Sequence, residues 1–136
     1  FEALRLKTDR SGKEPKAFML TLGNLAFARA RAQFSSNFFA CAGIRPVDNT
    51  LFASVDEGVA AALASKAEIV VVCSSDDEYA TFAPEVAEKL AGKAIVVVAG
   101  DPACKEELQA KGLKHFISVR SNVLQTLEGF QKELGI

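Results

Sequence analysis

The sequence has a single histidine, His115, and three scattered cysteines, Cys41, Cys73 and Cys104, with no C-x-x-C pair. A multi-histidine metal site is therefore impossible, and the cysteine–histidine spacing of structural zinc is absent. An odd, dispersed set of thiols with no secretory signal reads as reduced cysteines of a cytoplasmic protein. Excess charge of either sign is also lacking. Lysine and arginine number 16 and aspartate and glutamate 17, for a formal net charge of -1. That balance gives no long-range attraction to nucleic acid or an anionic membrane. No apolar run approaches the roughly 18 residues of a membrane span. The opening stretch, Phe1 to Gly12, is mostly polar, unlike a signal peptide. There is no G-x-G-x-x-G, no P-loop and no internal repeat.

What remains is an ordinary globular composition: 136 residues, 49% hydrophobic and 24% charged. That length fits one domain of the usual roughly 100–200 residues, with enough chain to bury a core without staples. The sequence starts at Phe1 rather than at methionine, which leads us to expect a piece of a longer polypeptide.

Residues 1–15 read as a solvated lead-in, with Ser11-Gly12 as a loop signal and Pro15 as a breaker. Residues 16–136 read as the folded domain. Ala17 to Leu22 is a short apolar run ended by Gly23-Asn24, a first strand. Arg29 to Ala42 has Phe34, Phe38 and Cys41-Ala42 at core spacing and Gly43 just past its end, a helix. Ile44 to Val47 is a second strand, placed at a sheet edge by Pro46. Ser54 and Glu57 have capping-box spacing and open a helix to Ser65. Glu68 to Cys73 and Ala94 to Ala99 are apolar at consecutive positions, as in parallel strands covered on both faces.

Ser75 and Glu78 repeat the capping-box spacing and start a helix to about Gly92, which Pro84 should kink or split. Asp101-Pro102 opens a fourth helix to about Lys111. His115 to Val119 is a fifth strand and Ser121 to Leu134 the closing helix. Five strand–helix units with right-handed crossovers predict a doubly wound, flavodoxin-like five-stranded parallel α/β sheet of order 2-1-3-4-5.

Ligands of such a sheet bind at the C-terminal strand ends, near the switch between the first and third strands. The loops there are Gly23 to Phe27, Ser74 to Asp77 and Gly100 to Pro102. A phospho-receiver site needs an acidic cluster, an acceptor aspartate and a lysine where this chain has Gly23-Asn24, Cys73-Ser74 and Val119-Arg120. A flavin-phosphate loop needs more hydroxyls and glycines than Thr21 to Leu25 supplies. Asp76 and Asp77 can in principle hold a divalent cation, but two carboxylates at a helix start more simply complement the macrodipole. Ser75 reads as a cap. His115 lies at the opposite end of the sheet and reads as structural or solvated. Arg29 and Arg31 can hold an anion, though a solvated helix face is the plainer reading. No nucleophile–base pair can be assembled, so no catalytic residue is assigned.

Leu22-Gly23-Asn24, then Phe34 to Ile44, then Cys73 to Ala80 resemble the small subunit of methylmalonyl-CoA mutase. The likeness runs over about residues 15 to 134. It implies a flavodoxin-like, cobalamin-binding-like C-terminal domain. Family members interconvert methylmalonyl-CoA and succinyl-CoA with adenosylcobalamin. The cobalamin-binding domain of their catalytic subunit carries D-x-H-x-x-G after the first strand, S-x-L after the third and G-G after the fourth.

Those slots fall here on Ala26, Ala28 and Arg31, on Ser74 and Asp76, and on Ala99-Gly100. An alanine cannot ligate cobalt, and Arg31 fills space that a glycine leaves open. The resemblance thus implies a noncatalytic domain with vestigial cofactor positions and no cofactor or metal of its own. Adenosylcobalamin would sit in the large catalytic subunit, its heterodimer partner. Two alternatives stay open: a domain that binds cobalamin base-off without a protein histidine, and a module holding a small anion through Arg29 or Arg31.

Overall fold

The computed structural model describes residues 2–12, 15–23, 25–47, 52, 54–74, 76–90, 93–100, 105–110, 113, 115–117 and 123–134. Its elements run α1 (Glu2–Arg10), β1 (Lys16–Thr21), α2 (Leu25–Ala40), β2 (Arg45–Val47), α3 (Val55–Ser65), β3 (Ile69–Cys73), α4 (Asp76–Lys89), β4 (Ile95–Ala99), α5 (Lys105–Ala110), β5 (His115–Ile117) and α6 (Val123–Glu133). The strands form one five-stranded sheet of order β2-β1-β3-β4-β5, parallel at every pairing. The predicted flavodoxin-like α/β topology is the observed one. Pro46 sits on edge strand β2 opposite Ala17 of β1, where a missing amide leaves no interior ladder bond unmade.

Strand alternation divides the core into two layers. Met19, Val71, Val97 and Ile117 point to one face, where Phe38 and Phe39 of α2 and Leu127 and Phe130 of α6 cover them. Leu20, Val70, Val72 and Val98 point to the other, under Val59 of α3, Tyr79, Ala83 and Val86 of α4, and Leu108 of α5. β3 is buried at all five positions because it lies between β1 and β4 with helices above and below. Among the described residues no helix is long and apolar enough to cross a membrane.

The helix caps follow local chemistry. The Glu57 amide donates to Ser54 Oγ at 3.2 Å, as the capping-box spacing predicted. α3 ends on Lys66 in the left-handed conformation, φ 58°, with its amide bonded to the Leu63 carbonyl. The proposed cap at Ser75 and the Asp101-Pro102 start lie outside the described residues.

Three expectations are corrected. Residues 2–10 are a helix rather than a solvated lead-in. Thr8 is buried, its hydroxyl donating to the Ala42 carbonyl at 2.6 Å and accepting from Gln131 Nε2 at 2.9 Å. A polar contact holds α1 against the ends of α2 and α6, so hydrophobic patterning gave no sign of it. α2 begins at Leu25, four residues before the predicted Arg29, since Leu25 to Ala28 are nearly all good helix formers. α4 runs unsplit through Pro84 to Lys89. Tyr79 and Ala83 before the proline and Val86 after it are all buried in the same layer, which holds both halves in line despite the lost backbone bond.

Candidate functional site

The C-terminal ends of β1, β3 and β4 meet where the strand order reverses, the position at which this architecture binds ligands. Gly23 follows β1 with φ 74°, Ser74 follows β3, and Gly100 follows β4 with φ 144°. Side chains from α2 and α4 converge on these ends.

Tyr79 comes from the buried stripe of α4 and is fully inaccessible. Its hydroxyl donates to the Ala99 carbonyl and accepts from the Ser74 amide at 3.2 Å. The ends of β3 and β4 are thereby tied through one phenol. Burial pushes the Tyr79 pKa up to about 12, against a smaller opposing effect of its hydrogen bond to Arg31.

Arg31 reaches over from α2. Its Nη1 donates to the same Ala99 carbonyl at 3.2 Å. The guanidinium lies 5.4 Å from the Tyr79 ring centre and 5.9 Å from that of Phe27, within cation–π range of both. The reading of Arg31 as part of a solvated face is therefore corrected. Arg29, two residues earlier, is exposed as expected. The helix period separates the two directions, and Arg31 has a stem long enough to fold back over the strand ends.

Glu78, half-buried, closes the remaining side. Its Oε1 accepts from Ser74 Oγ at 3.1 Å. A Cβ on Gly23 would overlap the same carboxylate, so the glycine is needed both for its backbone conformation and for this close approach.

The positions matched to the cobalamin pattern fall out unequally. Arg31, Ser74, Ala99 and Gly100 gather around the switch point. Ala26 is exposed and Ala28 is wholly buried. Asp76 and Asp77 open α4. Among the described residues no group of three or more metal-ligating side chains is assembled. Cys73 is buried at the end of β3, as predicted. His115 starts β5 at the far end of the sheet, with Nε2 3.2 Å from Glu133 Oε2 and its ring 5.2 Å from Phe130.

The sequence reading included Phe27 in a site loop but did not assign Tyr79 or Glu78 to the site. One signal was available for Tyr79: it is the only tyrosine, set in an apolar helical stripe, and a buried phenol needs a partner.

No family model matches the chain. Among curated proteins, the methylmalonyl-CoA mutase small subunit of Porphyromonas gingivalis is 61% identical over 136 residues, 100% of this chain and 22% of that protein. The probable methylmalonyl-CoA mutase small subunit of Mycobacterium bovis is 30% identical over 99% of this chain and 23% of its own length. The methylmalonyl-CoA mutase small subunit of Streptomyces virginiae is 37% identical over 74% of this chain and 17% of its own length. The chain thus spans less than a quarter of the relatives it matches. Over that span, at 61% identity without a gap in coverage, this chain belongs to the methylmalonyl-CoA mutase small subunit family.

Proposed function

We propose that this chain is the C-terminal, cobalamin-domain-like part of a methylmalonyl-CoA mutase small subunit, and that it serves as a noncatalytic structural domain. In this reading the small subunit pairs with a large catalytic subunit in the cytoplasm. The large subunit holds the adenosylcobalamin, and the isomerisation of methylmalonyl-CoA and succinyl-CoA belongs to the assembled enzyme.

One observation supports the reading: three of the chain's own side chains converge at the switch point. Arg31 and Tyr79 share the Ala99 carbonyl, and Glu78 lies across Gly23. The residues present do not fit a cobalamin. The slot for the cobalt-ligating histidine holds Ala28, a methyl group buried away from solvent. Arg31 stands in the slot that holds a glycine in the catalytic subunit's cobalamin pattern. The homologues' shared name supports the partner, since a small subunit implies a large one.

Co-expression of the full-length small subunit with its large subunit tests this. A complex is expected whose cobalamin stays with the large subunit after the two are separated. Cobalamin retained on the isolated small subunit, or no complex at all, would overturn the reading.

A further inference from the structure

α1 is a nine-residue helix, shorter than the roughly 12–15 residues at which a helix holds by itself in water. Packing must therefore hold it. Among residues 5–10, only Thr8 is buried. Its side of the helix is closely seated. The Thr8 hydroxyl bonds the Ala42 carbonyl and receives Gln131. A Cβ on Gly43 would meet Thr8 Cβ at 3.5 Å and Arg5 Cα at 3.6 Å.

The opposite side of α1 faces solvent. Leu6 stands two positions from Thr8, roughly 200° around the helix axis, so it points away from the domain. It is 46% exposed, and Arg5, Lys7, Asp9 and Arg10 beside it are exposed as well. The helix belongs to the family's polypeptide, because the match to the Porphyromonas gingivalis small subunit runs over all 136 residues. Those residues are 22% of that relative's length, so most of its polypeptide lies outside the matched span.

The size of the patch decides what can cover it. Burying one leucine returns less than a free molecule loses in translational and rotational freedom on binding. A second copy of this chain, or a separate subunit, needs more contact than this face offers. A segment tethered through α1 has already lost most of that freedom, and it meets Leu6 at high effective concentration.

We infer that the small subunit's own polypeptide covers the outward face of α1: the segment leading into α1 from upstream lays an aliphatic or aromatic side chain on Leu6. α1 is then gripped from two sides, at Thr8 by this domain and at Leu6 by what precedes it, and it sets the direction between them. The inference rests on the reading proposed above, in which this chain is the C-terminal part of the small subunit.

The test labels Leu6→Cys with N-ethylmaleimide in the full-length small subunit, free and with its large subunit added. The peptide carrying residue 6 is quantified by mass spectrometry against the same variant unfolded in urea. In the free folded subunit, labelling is expected to be about tenfold slower or more, because a covered thiol reacts only on local opening. A variant that melts well below wild type has the same meaning, since a solvent-facing leucine tolerates the change. Labelling faster than that, with wild-type melting, overturns the inference. Protection that appears only after the large subunit is added also overturns it and leaves the pairing standing. Photo-leucine at position 6 of the free small subunit is expected to cross-link upstream of residue 1, and a cross-link into residues 15–134 overturns the inference. The decisive rates are read on the free small subunit, so failure of the two subunits to associate overturns the pairing alone.

Discussion

The Arg31 guanidinium lies 5.4 Å from the centre of the Tyr79 ring, and the two side chains converge on one acceptor, the Ala99 carbonyl. α2, α4 and β4 are thereby joined at the point where the sheet would otherwise present a cleft. These polar groups bond one another and tie the two helices to the strand end.

Arg31→Ala removes a charged donor and a cation–π contact at this joint. A loss of about 1–3 kcal/mol is expected, read as a lower urea midpoint with an unchanged slope. A midpoint equal to wild type would show that the guanidinium does not hold α2 to β4.

Tyr79→Phe leaves the buried Ser74 amide and one bonding position of the Ala99 carbonyl without the phenol. The cost should be about 1–3 kcal/mol. The wild-type phenol also has a pH signature. Its pKa rises from 10.0 to about 12 on folding, so the unfolded chain loses this proton first. The associated stability is fully present below pH 10 and falls as pH rises toward 12. With one tyrosine and no tryptophan in the chain, tyrosinate absorbance reports this group alone. Ionisation near pH 10 in the folded protein would show that the phenol is not enclosed.

Gly23→Ala forces a Cβ into a left-handed conformation, costing roughly 1–2 kcal/mol, and pushes the Glu78 carboxylate off Ser74. In a Glu78→Ala background the second penalty is already absent. A double-mutant cycle should therefore show coupling of about 0.5 kcal/mol or more between positions 23 and 78. Strict additivity would contradict the close approach.

Val71→Asp places an unpaired carboxylate in the middle of β3, at a wholly buried position between two strands and two helix layers. Loss of cooperative folding by circular dichroism is expected. A variant that melts like wild type would mean the core lies elsewhere.

Thr8→Val removes the hydroxyl that bonds the Ala42 carbonyl and receives Gln131. A loss of about 1–3 kcal/mol is expected, with faster amide exchange in residues 2–10 than in α6. Unchanged exchange in α1 would show that Thr8 does not anchor it.

The sheet was legible because its signals are one-dimensional. Consecutive apolar residues in β3 and β4 require cover on both faces, and Pro46 marks an edge. Ser54 announces α3 by its spacing to Glu57. The contents of the switch point were only half legible. The sequence placed Arg31 and Ser74 near it, but helical periodicity gives the direction in which a side chain leaves the helix, not where a long one ends. Arg31 and Arg29 look alike in sequence, yet only one turns back over Tyr79. Thr8 was missed for a related reason: its contacts with Ala42 and Gln131 are polar and span 34 and 123 residues, and no local pattern encodes such a bond.

The measurement that bears most directly on the proposed loss of the cofactor site is a titration of this chain with hydroxocobalamin and adenosylcobalamin, followed by visible spectrum and by bound fraction after gel filtration. The packing of Arg31, Tyr79 and Glu78 predicts no spectral change and no co-elution at high micromolar cofactor. Stoichiometric, tight binding would contradict it, and would mean that these side chains leave the strand ends when a ligand arrives.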